Sequence, residues 1–125
     1  MLDGGKEGND LMKLLVLEQN ELVSKIYKKI FEEKKYDADY ARNDLECLEK
    51  FDKNYDYVVL ENSNSGTLEQ KIRKIKPDQK ILSLSQYINS EYPDELKDTR
   101  DLIEKPFAVL TIISRLELEC ANLHN

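Results

Sequence analysis

The sequence predicts an open α/β sheet of parallel strands with helices on both faces. Three short apolar runs carry that expectation: LLVL at 14–17, YVVL at 57–60 and ILSL at 81–84. Each is followed by a polar break, as suits strands buried on both faces. Amphipathic helical stretches separate them, and strands alternating with helices imply parallel pairing through crossovers.

The elements follow in order. After the first run, Leu22, Val23, Ile26, Tyr27, Ile30 and Phe31 recur at three- and four-residue spacing, which predicts a helix over 20–35. Asn20 suits its N-cap, and Glu21 in the first turn and lysines in the last suit its dipole. YDADYA at 36–41 alternates and predicts an edge strand. A second helix, 43–51, carries Leu45, Leu48 and Phe51 behind an Asn43 cap. The third, 67–75, carries Leu68, Ile72 and Ile75 and ends before Lys76-Pro77. The basic stretch KIRKIK at 71–76 reads as its solvated end. The segment 86–100 is weak, with few apolar anchors and Pro93 in its middle, so any helix there is short or irregular and begins after Pro93. A fourth apolar run, DLI at 101–103, predicts a last strand, and 107–123 predicts the most apolar helix. One stripe of that helix covers the sheet, leaving Ile112 or its neighbours outward as a contact face or packed against 86–100.

A chain of 125 residues closes one core, here expected over 11–125 behind a disordered lead-in at 1–10. Its net charge of −6 argues against general nucleic-acid or anionic-membrane binding. No apolar run approaches the ~18 residues of a membrane span, and the Gly-rich acidic start is not a signal peptide. Cys47 and Cys120 stand alone and fit reduced thiols, so the expected compartment is cytoplasmic. His124 cannot build a metal site by itself. A nucleotide-binding enzyme of this class needs a glycine-rich loop after the first strand, and EQNELVSK has no glycine. The expectation is therefore a protein that is not an enzyme.

Function in such sheets gathers at the carboxyl ends of the strands. Those ends read Glu18-Gln19-Asn20, Glu61-Asn62-Ser63, Ser85 and Glu104-Lys105-Pro106. From Lys13 to about Leu118 the chain resembles the receiver domain of bacterial two-component response regulators, the CheY-like family. KLLVLEQNE resembles the opening strand that delivers an acidic pair. YDYVVLENSNSG resembles the third strand, which ends in the phosphoacceptor, with Gly66 in that loop. ILSLS resembles the fourth strand with its switch residue at Ser85, and LIEKPF the fifth-strand signature with Lys105. The resemblance implies a flavodoxin-like, doubly wound five-stranded sheet of order 2-1-3-4-5. It also implies a cis Lys105–Pro106 bond, which proline makes accessible.

The departures bear on chemistry. The acidic pair has become Glu18-Gln19, the phosphoacceptor position holds Glu61, and Leu102 stands where an aromatic switch is usual. Asn64-Ser65 replaces the usual turn, and the stretch from Ser85 to Lys105 is shorter than the family pattern. The family-equivalent metal positions are Glu18, Glu61 and Ser63. Mg²⁺ demands octahedral oxygen geometry at roughly 2.0–2.1 Å. Gln19 removes a charge, while each glutamate carries its oxygens about one bond length, roughly 1.5 Å, too far. Misplacement of that size costs about 100-fold in a positioned reaction. No metal and no other cofactor is therefore expected. Glu61 could mimic the phosphorylated state through Lys105 and Ser85, or simply form an ion pair with Lys105; Glu18 balances the charge of Lys105. The expectation is an atypical receiver that acts as a phosphorylation-independent protein-interaction module in bacterial signal transduction. Its partner is a signalling protein or a second copy bound through the 86–118 face as a homodimer. The alternative is a receiver still taking part in a phosphorelay with altered metal use.

Overall fold

The computed structural model describes residues 12–60, 66–84 and 93–124. The expected lead-in at 1–10 lies outside them. Strand β1 (Lys13–Leu17) leads into helix α1 (Glu21–Glu33), strand β2 (Asp37–Ala41) and helix α2 (Asp44–Lys50). Strand β3 (Tyr57–Leu60), helix α3 (Gly66–Ile75) and strand β4 (Ile81–Ser83) follow. A 3-10 turn (Asp94–Leu96) opens the last helix, α4 (Lys97–His124).

The sheet is parallel in the order β2-β1-β3-β4. Leu14, Leu15 and Val16 of β1 pair with Ala38, Asp39 and Tyr40 on one side and with Tyr57, Val58 and Val59 on the other. Val58, Val59 and Leu60 then pair with Ile81, Leu82 and Ser83. The period-two alternation of a strand divides these side chains between two cores. Leu14, Val16, Tyr57 and Val59 join Val23, Tyr27 and Phe31 of α1 and Ala108 to Leu116 of α4. Leu15, Leu17, Val58 and Leu60 face Cys47 and Phe51, and Leu68 and Ile72 of α3. Both faces of the sheet are covered at its centre, which is why β1 and β3 read as unbroken apolar runs.

The caps follow the sequence. Asn20 Oδ1 accepts from the amides of Leu22 and Val23 at 2.9 and 3.2 Å. Asn43 Oδ1 accepts from Glu46 N at 2.8 Å, and the Glu46 carboxylate accepts from Arg42 N at 2.7 Å. Four orphan amides at each helix start make such partners worth about 1 kcal/mol.

Two expectations are corrected. The run 101–103 is helical, so the described residues hold four strands, and the expected place of a fifth belongs to α4. The reason is a buried stripe that begins with charge. Asp101, Lys105, Ala108, Ile112 and Leu116 repeat at helical spacing and all turn inward. A search for apolar periodicity starts that stripe seven residues late. The Lys105–Pro106 bond is accordingly trans, since no cis peptide occurs among the described residues. The segment around Pro93 gives one 3-10 turn before α4, and residues 85–92 lie outside the described set. Ile112 is buried at 4% exposure; the outward face of α4 belongs to Ile103, Phe107, Leu110 and Leu118.

Candidate functional site at the carboxyl edge of the sheet

The chain runs from β1 to β2 on one side and then crosses to β3 on the other, so the sheet has its topological switch point between β1 and β3. Ligands of open α/β sheets bind outside the strand ends at that point. Glu18 sits there, one residue past β1, at 1% exposure. Its amide donates to Ala41 O at 2.8 Å, which extends the β1–β2 ladder by one step and aims its side chain over the sheet edge.

Lys105 reaches this carboxylate from α4. Its Nζ donates to Glu18 Oε1 at 3.1 Å and Oε2 at 2.9 Å, with both side chains nearly sealed from water. Asp101, one helical turn before Lys105, brings Oδ2 to 3.5 Å of the same nitrogen. Arg100 then donates from Nε at 3.0 Å and from its terminal nitrogen at 2.6 Å to Asp101 Oδ1. The second oxygen of Glu18 also accepts from Asn20 N at 3.0 Å. The Asn20 side chain meanwhile caps α1, so one residue links the carboxylate to the start of that helix.

The cluster is thus two cations and two anions, alternating Arg100–Asp101–Lys105–Glu18. Buried charges persist only when paired and hydrogen-bonded; here Lys105 donates to both oxygens of Glu18 and the partly buried Arg100 to Asp101. A like-charged array would be repelled at this depth; an alternating one is held.

The sequence-expected residues divide three ways. Glu18 and Lys105 meet directly. Gln19 is exposed, Leu102 is half-buried against the α1–α4 core, and Pro106 lies half-buried within α4. Glu61, Ser63 and Ser85 lie outside the described residues. The sequence patterns do not single out Asp101 and Arg100, because DLI at 101–103 reads as a strand. The signal was present: Asp101 and Lys105 are four apart and in phase with Ala108, Ile112 and Leu116. Among the described residues, no three His, Cys, Asp or Glu side chains group as metal ligands. No helix among them is long and apolar enough to cross a membrane.

No family model and no curated protein matches the chain. Solved structures do. The chain is 30% identical to the response regulator in the complex of histidine kinase ThkA with response regulator TrrA, over 69% of this sequence and 78% of that chain, at a TM-score of 0.54. It is 25% identical to the non-phosphorylated HemR receiver domain from Leptospira biflexa, over 85% and 91%, at a TM-score of 0.60. The chemotaxis protein CheY4 of Vibrio cholerae shares the fold at 14% identity and a TM-score of 0.59, over 84% and 98% of the two chains. With a parallel sheet wound on both faces and 30% identity over 78% of a response-regulator chain, this protein belongs to the receiver-domain family of two-component signalling.

Proposed function

We propose that this receiver is an atypical one: a protein-interaction module of a bacterial cytoplasmic signalling system that works without phosphorylation and without enzymatic activity. The observation that carries the reading is the saturation of Lys105. The lysine that the family resemblance assigns to the phosphoryl group is here closed by Glu18 at 2.9 Å and Asp101 at 3.5 Å. An incoming phosphoryl oxygen has to displace one of these buried carboxylates, and separating buried partners costs about 3–5 kcal/mol.

The donor set supports the same reading for the metal. Both oxygens of Glu18 are already engaged by Lys105, and one of them by Asn20 N as well. A Mg²⁺ ion requires free, hard oxygens in octahedral array. Gln19 offers an amide in place of an acid and points to solvent. Among the described residues this donor set argues against a bound Mg²⁺. At the other two family-equivalent positions the sequence places a glutamate, Glu61, and a hydroxyl, Ser63.

The partner is a protein, met through α4. Ile103, Phe107, Leu110 and Leu118 are 43–66% exposed and fall on one side of that helix. Apolar side chains aligned in this way mark contact surfaces more than isolated ones do. A second copy of the chain is the simplest occupant. The kinase–regulator complex among the similar structures gives the other kind, a histidine kinase, for that relative.

The test combines both halves of the reading. Sedimentation over a range of concentrations, with and without acetyl phosphate and Mg²⁺, is expected to show the same association in both conditions. Phe107→Glu is expected to weaken it about tenfold or more, the scale of a central apolar contact. Amide shifts at Glu18 and Lys105 on adding beryllofluoride and Mg²⁺, or a phosphoryl adduct by mass spectrometry, would refute the phosphorylation-independent reading in favour of the phosphorelay one.

A further inference from the structure

We propose that the outer edge of β2 is a docking site for an extended segment of another protein that carries lysine or arginine at alternate positions. The ladder with β1 decides which backbone groups face outward. Asp37 N donates to Met12 O, and Ala41 O accepts from Glu18 N, both at 2.8 Å, so Asp37, Asp39 and Ala41 direct their backbone groups to β1. Ala38 and Tyr40 therefore turn theirs away from it. Among the described residues β2 pairs with β1 alone, and one of these four outward groups has a partner: Lys50 Nζ donates to Tyr40 O at 2.6 Å. Two N–H groups and the Ala38 carbonyl are left on a half-buried strand, the template that an added strand completes.

Charge selects the occupant. Asp37 and Asp39 are two positions apart and project from the same face of the strand. Asp37 is exposed, and Asp39 accepts from Tyr55 OH through Oδ2 at 2.5 Å. The field at this edge is negative: burial raises the Tyr40 phenol first, and Glu32 and Asp39 raise it further. The same charges exclude a second copy of β2. Antiparallel pairing of Ala38 with Tyr40 sets Asp39 directly opposite Asp39, and like charges so placed are destabilising. A foreign segment meets Ala38 and Tyr40 as hydrogen-bonded pairs, and its side chains opposite Asp37 and Asp39 lie two apart on one face. Basic residues there neutralise both carboxylates, whereas acidic ones repeat the repulsion.

Lys50 makes the edge selective. It reaches β2 from the last turn of α2, and Glu46, one turn earlier, lies 3.4 Å from its Nζ. Its ammonium stands where the amide of an added strand would donate, and a lysine on a strand edge guards against indiscriminate pairing. An incoming amide takes over Tyr40 O while Lys50 keeps Glu46, so the exchange strands no charge. The site uses the backbone of β2 and none of the exposed residues of α4, so it stands or falls apart from the contact proposed there.

NMR of the full chain tests it with a short peptide alternating lysine with threonine. One control is the same peptide methylated at its backbone nitrogens, which keeps the charge and loses the ladder. The other alternates glutamate with threonine, which keeps the ladder and reverses the charge. The lysine peptide is expected to slow amide exchange at Ala38 and Tyr40 about tenfold, and neither control is expected to do so. Lys50→Met frees the Tyr40 carbonyl and is expected to tighten the lysine peptide about fivefold, the scale of one hydrogen bond. Asp37→Asn is expected to weaken it about threefold, the scale of an exposed cross-strand charge pair. Unchanged exchange at Ala38 and Tyr40 with the lysine peptide overturns the proposal, as does equal protection by either control. An affinity that neither variant moves overturns it as well.

Discussion

Lys35 holds a φ of 62° just past the end of α1, the left-handed region that a side chain disfavours. The surrounding hydrogen bonds require it. Tyr36 N donates to Phe31 O at 2.9 Å and Lys35 N to Glu32 O at 3.0 Å, the paired bonds of a Schellman ending. The Phe31 and Tyr36 rings stack across the motif at 6.1 Å and supply its apolar contact. Glycine adopts this conformation without a Cβ clash. Lys35→Gly is therefore expected to raise stability by about 1 kcal/mol, visible as a higher midpoint in thermal unfolding. An unchanged or lower midpoint would show that the lysine stem contributes packing that outweighs its backbone cost.

Between elements, the Glu18–Lys105 pair joins the end of β1 to the first third of α4 across 87 positions of sequence. Both groups are buried, so each depends on the other for its charge to be tolerated. Glu18→Ala is expected to lower unfolding stability in urea by about 3–5 kcal/mol, and Lys105→Met by a similar amount. The double variant is expected to lose much less than the sum, because it leaves neither charge stranded. Additive losses would mean that the two residues act separately. At the rim, Lys34 and Glu117 join α1 to α4 at 3.0 Å, but both are half-exposed and such pairs contribute at most about 1 kcal/mol.

For the whole molecule, three buried protons set its alkaline limit. Burial, reinforced by Asp44 and Glu46, pushes the Cys47 thiol up to about 11 from 9.0. Burial also raises the Tyr40 phenol, helped by Glu32 and Asp39. It raises that of Tyr55 as well, helped by the hydrogen bond that Tyr55 donates to Asp39 at 2.5 Å. A raised value in the folded state means that the unfolded chain loses its proton first. The stabilisation is whole below pH 9 and falls as pH climbs from 9.0 toward 11. For Cys47 the loss is roughly 2–3 kcal/mol across that window, with both tyrosines adding to it at higher pH. Denaturant melts between pH 8 and 11 check this, and a flat stability over that range contradicts it. At pH 8 iodoacetamide is expected to leave folded Cys47 unmodified, since the thiol is both buried and protonated.

Patterns local in the chain were legible in advance. YVVL at 57–60 became β3 with the expected bounds, and Asn20 and Asn43 became the caps, because burial on both faces and capping leave marks within a few neighbouring residues. Of the order 2-1-3-4-5 that the family resemblance implies, the described residues have 2-1-3-4, without the fifth strand. The fate of 101–106 was not legible. Its apolar run fits either a strand or a helical turn, and Pro106 speaks against continuing a helix. The choice falls to Glu18, 83 positions before Asp101, whose buried carboxylate is met by Lys105 with Asp101 alongside only when those two stand one helical turn apart. A buried charge cannot be left unpaired, and that requirement is met by residues that no short window of sequence contains.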